Sequence, residues 1–275
     1  MKKKSLLLLL IVISHLFFSS CSKQQMEMKE YSYSNIFHLT PDTTLGGLSI
    51  NIEAEIPVKY HNKEILGNIQ QQIIAKMFGE SYTKLPIDSV IPVYVGKLFD
   101  DYKNSYGNDL ERYKNLKGPM LNNDIQVEAV SMFLDEKILS YSYEQYAFMG
   151  GAHGGSNRYF YNFDLSNGHI LKESDLFIDN YKQPLTELIK QCIVEDNAEI
   201  ESVADLDELD FWEDAIKPNG NFYISDEGIV YVFNPYEIAP YSTGQTEVTL
   251  PYDRLKVLLK PNNLIAYLYN SSAKS

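Results

Sequence analysis

Residues 125–148 read IQVEAVSMFLDEKILSYSYEQYAF. Two apolar-rich runs, Ile125 to Leu134 and Ile138 to Phe148, flank the charged residues Asp135, Glu136 and Lys137. Each run has the length and the β-branched and aromatic content of a strand, and a charged tripeptide between them suits a reversal, so the segment predicts a pair of strands. The loop Gly150 to Gly155 follows. Next comes a third predicted strand, Ser156 to Leu165, with Tyr159, Tyr161 and Phe163 at alternate positions and therefore on one face. Ser166-Asn167-Gly168 closes it with hairpin-turn chemistry.

Working outward, Ile50, Ile52, Ala54, Ile56 and Val58 alternate with polar residues, the pattern of a half-buried strand starting at Leu48. Asn62 suits the N-cap of a helix carrying Ile65, Ile69, Ile73 and Met77, which Gly79 would end. A second amphipathic stretch, Val90 to Leu116, places Val95, Leu98, Phe99, Tyr102 and Tyr106 on one face, and Gly118-Pro119 stops it. Downstream, Leu185–Ile193 and Asp205–Ala215 read as helices. Phe222–Ile224 and Ile229–Phe233 form a hairpin across Asp226-Glu227-Gly228. Thr246–Leu250 is a last strand and Tyr252–Leu259 a last long helix. Strands that mostly pair with sequence neighbours, with helices segregated between them, give an α+β fold and not a parallel βαβ array. No internal repeat is present.

The first twenty residues do not belong to this pattern. Lys2, Lys3 and Lys4 precede an apolar run from Leu6 to Phe18, too short for a spanning helix, which needs ~20 residues. It has the form of a secretory signal, residues 1–20. The run ends in Phe18-Ser19-Ser20-Cys21, and small residues before a lone cysteine resemble a lipobox. Cys21 is then the expected lipidation site and the anchor to the membrane; the alternative is an ordinary secretory signal with an incidental cysteine. Residues 21–47, polar and ending in Pro41, Gly46 and Gly47, read as a tether. The only other cysteine, Cys192, lies in an apolar helical run and reads as a buried, inert thiol.

The 275 residues carry 37 acids and 24 bases, a formal charge of −13. Removing residues 1–20, with three lysines and no acid, takes the charge to −16. No basic stripe exists for phosphate, so nucleic acid is excluded as a partner. An apolar fraction of 44% supports a packed core. A collagen, a disulfide miniprotein and a membrane channel are ruled out by the same composition.

Two local motifs are candidates for chemistry. Gly150-Gly151-Ala152-His153-Gly154-Gly155 allows unusual backbone geometry around an imidazole that can carry a proton. The other reading is a structural loop with the ring hydrogen-bonded locally. Asn234-Pro235-Tyr236-Glu237-Ile238-Ala239-Pro240-Tyr241 is a rigid loop between strands. Glu237 between two tyrosines suits a sugar hydroxyl or a cation, and equally a backbone amide. Gly151, His153, Tyr236, Glu237 and Tyr241 are the candidate ligand-binding residues. The five histidines form no metal-ligand spacing, so no metal and no cofactor are expected. Glu195 to Asp214 holds ten acids and no base, without the order of a calcium loop; it reads as a solvated face or a steering field for a cationic partner. There is no Gly-x-Ser-x-Gly elbow and no phosphate loop, and the carboxylates are too numerous for spacing to nominate a glycosidase pair.

Two stretches together resemble a known family: Tyr146 to Phe177, with Gly150-Gly151-Ala152-His153-Gly154, Tyr161-Asn162-Phe163-Asp164-Leu165 and Asp175-Leu176-Phe177, and Phe233 to Leu255, with the Asn234–Tyr241 loop. They are similar to the extracytoplasmic domain of RsiV-type anti-sigma factors. Residues 48–134 are similar to the smaller module that precedes it and also occurs in PdaC-type peptidoglycan deacetylases. The resemblance implies residues 48–134 as a PdaC-like α+β module, 135–275 as an RsiV-like α+β domain, and an envelope location. In RsiV this region is a lysozyme receptor. The chain lacks a sigma-binding segment, a deacetylase domain and a zinc-binding histidine pair, so neither anti-sigma nor deacetylase activity is carried over. The expectation is a lipid-anchored, non-enzymatic binding protein of the cell envelope, facing the periplasm or exterior, for a lysozyme-like protein or cell-wall glycan. The alternatives are a cell-wall glycan- or peptide-acting hydrolase using His153 with nearby carboxylates, and a scaffold that spaces envelope components.

Overall fold

The computed structural model describes residues 25–114 and 121–270. The signal segment, Cys21 and Gly118-Pro119 lie outside the described residues. Among the described residues eight strands form two sheets, with helices packed beside them, so the fold is α+β as the strand pattern implied.

The larger sheet has the order β1 (Glu27–Phe37), β2 (Leu48–Lys59), β3 (Asn123–Leu134), β4 (Ile138–Phe148), β5 (Gly155–Asp164). All neighbours are antiparallel except β2 and β3, which run parallel. That pairing requires a crossover, supplied by α1 (Lys63–Met77) and α2 (Ile87–Tyr106), with the short α3 (Leu110–Lys114) after them. Asn62 caps α1 by accepting from the amides of Glu64 and Ile65. Ile65, Ile69 and Ile73 of α1 meet Ile50, Ile52, Ala54 and Ile56 of β2 and Val127 and Ala129 of β3 in one core. Each fully buried isoleucine there contributes about 1.5–3 kcal/mol.

Strand β1 corrects the expected tether. Its Tyr31, Tyr33 and Phe37 alternate and pack on the helix-side core, while the intervening residues face solvent. An edge strand buries one side only, and here tyrosines do it, so the stretch reads as polar. The larger sheet also runs on past Leu134, since β4 and β5 complete it.

The smaller sheet is antiparallel, β6 (Phe222–Ile224), β7 (Gly228–Phe233), β8 (Thr246–Pro251). A second core joins it to α4 (Glu173–Leu176) and α5 (Lys182–Asp196), through Leu176, Leu185, Ile189, Cys192 and Ile193. Cys192 is buried there as a free thiol. Two expected helices differ. Asp205–Ala215 forms tight 3-10 turns, Val203–Leu209 and Glu213–Ala215, broken where Asp210 adopts a left-handed conformation at φ 62°. The expected helix 252–259 is one turn, α6 (Tyr252–Leu255), because Leu259 is drawn into a bridge with Phe177. A short α7 (Ala266–Asn270) follows. Among the described residues no helix is long and apolar enough to cross a membrane.

The two sheets are seamed by side-chain amides. β5 is the last strand of its sheet, and its outer edge is met by asparagines in place of a sixth strand. Asn234 accepts from the Arg158 amide at 2.7 Å and donates to the Arg158 carbonyl at 3.1 Å. Asn221 accepts from the Phe160 amide and donates to the Arg158 carbonyl. Asn162 in turn donates to the Phe222 carbonyl of β6 and accepts from the Ile224 amide. Exposed strand edges invite foreign pairing, and these amides close one.

Candidate functional site

The glycine loop and the proline loop, far apart in sequence, meet in space. The Gly154 carbonyl is the joint: it accepts from the Tyr241 hydroxyl at 3.1 Å and from His153 Nδ1 at 2.9 Å. A carbonyl only accepts, so Nδ1 carries a proton, and among the described residues no hydrogen bond uses Nε2. The His153 ring stacks on Tyr241 with centroids 4.5 Å apart, and Tyr236 lies 5.8 Å beyond. His153, Tyr241 and Tyr236 thus form a column of rings. Tyr236 is 58% and Tyr241 38% exposed.

Backbone geometry places these rings. Gly151 adopts φ +105°, which L side chains rarely do, and a Cβ there would meet nothing within 4 Å; its part is to turn the chain. Gly154 is glycine for another reason. A Cβ would lie 2.4 Å from the Tyr146 ring, so Tyr146 packs directly on that backbone. Tyr236 holds φ 71°, uncommon for a bulky residue, inside a turn closed by its amide to the Ala239 carbonyl. Glu237 is exposed and accepts from the Asn219 amide at 2.9 Å. Of the five expected ligand residues, three converge, Gly151 shapes the loop, and Glu237 ties down a neighbouring one.

Beside Tyr146 lies a feature that sequence reasoning missed. The face of the larger sheet opposite the helices carries Asn51 and Glu53 on β2, Gln126 and Glu128 on β3, and Glu144 and Tyr146 on β4, lining a trough of about 130 Å³. Glu53 is in register with Glu128, and Glu128 with Glu144. Like charges directly opposite on adjacent strands are destabilising, so this ladder costs stability. Next in the row stands Arg158, in register with Glu144. Its guanidinium lies 4.0 Å from Glu144 and 3.3 Å from Glu247, so it serves that end. Among the described residues no ion pair includes Glu53 or Glu128. A neighbouring cleft of about 380 Å³ shares Tyr146 and adds the apolar Ile36 and Phe148. The surface therefore runs from the ring column, across Tyr146, onto an acidic floor whose Glu53 and Glu128 lie in no ion pair among the described residues.

The only signal for the ladder in sequence was the polar half of each alternating strand. Register between β2, β3 and β4 aligned those halves. His153 has no hydrogen bond or ion pair to a carboxylate among the described residues, and no group of three His, Cys, Asp or Glu there could hold a metal ion.

Residues 174–253 match the family model DUF3298, described as a protein of unknown function. A solved structure of a DUF3298 family member from Bacteroides fragilis superposes with a TM-score of 0.83 at 26% identity, covering 89% of this chain and 98% of that one. A DUF3298 family protein from Pseudomonas aeruginosa superposes at 0.59 with 16% identity, covering 87% and 96%, a likeness of fold alone. No curated protein matches the chain.

Proposed function

We propose that this chain is a lipid-anchored protein of the cell envelope, with a PdaC-like and an RsiV-like part, that binds a basic protein of the lysozyme type without catalysing a reaction. The observation that carries this reading is the in-register row Glu53, Glu128 and Glu144 on an open sheet face. A row of like charges repels itself until a cation neutralises it, and a field of one sign accelerates encounter with a partner of the other. Tyr146, Tyr241 and Tyr236 beside it supply the amphipathic rings that interfaces favour. The apolar leader and Cys21 support the location, and the likeness to a lysozyme-receptor domain supports the partner class.

The hydrolase alternative needs His153 within hydrogen-bond reach of a carboxylate, and its described hydrogen bond is to the Gly154 carbonyl. The glycan reading draws on a different observation, the exposed ring column, since sugars stack on aromatic faces.

The test titrates residues 22–275 with lysozyme and, separately, with peptidoglycan fragments, at low and high salt. Lysozyme should bind, weaken with salt, and lose about tenfold or more in affinity with E53Q/E128Q, as two charge-assisted contacts are removed. Binding of fragments alone, abolished by Y236A and insensitive to E53Q/E128Q, would replace the protein reading with the glycan one. Binding of neither would refute both.

A further inference from the structure

A second cleft, of about 320 Å³, opens where β5 meets the segment after the Ser166–Gly168 turn; none of its lining residues belongs to the acidic trough. Its wall contains Glu173, half-buried at the start of α4. Three uncharged donors hold that carboxylate. The Tyr231 hydroxyl at 2.9 Å and the Gly220 amide at 3.1 Å both donate to Oε1, and the Tyr181 hydroxyl donates to Oε2 at 2.8 Å. Among the described residues no ion pair includes Glu173. Tyr181 and Gly220 also line the cleft, so the carboxylate stands at its surface with its partners around it. Phe160, Tyr161 and Tyr181 provide apolar wall beside it.

We propose that this cleft binds a primary alkylammonium group, with Glu173 as its counter-charge and the aromatic wall against its alkyl stem. A carboxylate offers about four lone-pair positions, and three here are occupied. Both positions on Oε1 are taken, which leaves one on Oε2. A single free acceptor suits the compact, rotatable ammonium and not the planar guanidinium, whose fork needs two oxygens. Burial, then the hydrogen bond to Glu173, pushes the Tyr181 hydroxyl up to about 12, so it stays a donor throughout the neutral range. A Cβ on Gly220 would meet nothing within 4 Å, and its φ of +74° turns its amide toward Glu173 while leaving the cleft side open. Lys172 is exposed at the rim and lies in no ion pair among the described residues. Its charge opposes an incoming cation and sets a ceiling on affinity.

The experiment is calorimetric titration of the full chain in detergent with n-butylammonium chloride, Nα-acetyl-lysine amide, n-butylguanidinium chloride and 1-butanol, with sodium chloride as the ionic control. Hydrogen exchange around Gly220 is read in parallel. Saturable binding of butylammonium, with Gly220 protected and the guanidinium and alcohol at least several-fold weaker, supports the assignment. E173Q should weaken it by about tenfold, the loss of one charge-assisted hydrogen bond, and K172Q should tighten it. Equal binding of the lysine derivative identifies a protein side chain as an admissible source, whereas binding of the free amine alone identifies a small metabolite amine. If E173Q fails to fold, K172Q decides: unchanged or weaker binding overturns the assignment. So does butylammonium binding no better than butanol. Neither result bears on lysozyme capture at Glu53 and Glu128, which is tested with other variants.

Discussion

Replacing Asn234 by alanine should loosen the seam between the two sheets. Asn234 is only 3% exposed, and its amide serves both backbone groups of Arg158. Truncation leaves the Arg158 amide without a described partner, while the Arg158 carbonyl keeps Asn221 at 2.9 Å. One orphaned donor costs about 1–3 kcal/mol, and a weakened carbonyl adds a fraction, so N234A should lose about 2–3 kcal/mol. For a chain of this size that is roughly 4–12 °C in Tm. N234D sharpens the test. The carboxylate keeps the acceptor for the Arg158 amide but sets its second oxygen against the Arg158 carbonyl, where protonation restores a donor. The folded-state pKa of that aspartate therefore rises above its unfolded value of about 3.9. Its penalty is absent below the unfolded pKa and fully developed above the folded one, so the gap to wild type should narrow as pH falls from about 7 toward 4. Urea unfolding at several pH values measures the gap, and hydrogen exchange at Arg158 localises it. A loss under about 0.5 kcal/mol, the range of ordinary surface substitutions, would refute the edge-closing role. So would a pH-independent N234D or unchanged exchange at Arg158.

E128Q removes the middle charge of the ladder and should raise stability in urea by about 0.2–1 kcal/mol; the gain should shrink as added salt screens the repulsion. Burial pushes the hydroxyls of Tyr102, Tyr161 and Tyr181 up to about 12. Each group's folded-state pKa exceeds the unfolded value of about 10, so the stability it contributes is intact below about pH 10 and is lost as pH rises through about 12. Circular dichroism should be lost in one cooperative step above about pH 10, and the tyrosinate absorbance of the buried rings should rise in that same step, not ahead of it. Burial also pushes the Cys192 thiol up to about 11, against the opposing pull of Arg254. Iodoacetamide should leave Cys192 unmodified in the native protein at mildly alkaline pH and label it in urea, as mass spectrometry will report.

Local chemistry made much of the fold legible. Asn62 caps α1, Gly79 follows its end, and the β4 span emerged residue for residue, because capping and alternation depend on near neighbours. The errors have two causes. β1 buries tyrosines on one side only, and the 203–215 segment has acids that favour turns over a continuous helix, so polarity concealed structure in the first and periodicity overstated it in the second. Glycine and proline loops were visible as motifs, but that Tyr241 reaches the Gly154 carbonyl was not.

By itself the sequence determined that this is an acidic α+β protein with two helices on a sheet, a glycine-rich loop and a proline-braced loop. Periodicity, charge and turn residues act over a few positions and are written along the chain. Tertiary structure decided that Glu53, Glu128 and Glu144 stand in one row, that His153 stacks on Tyr241, and that Glu173 gathers two tyrosines and Gly220. Those relations depend on strand register and on how one sheet docks against the other, which are set by the packing of whole faces and by no local run of residues.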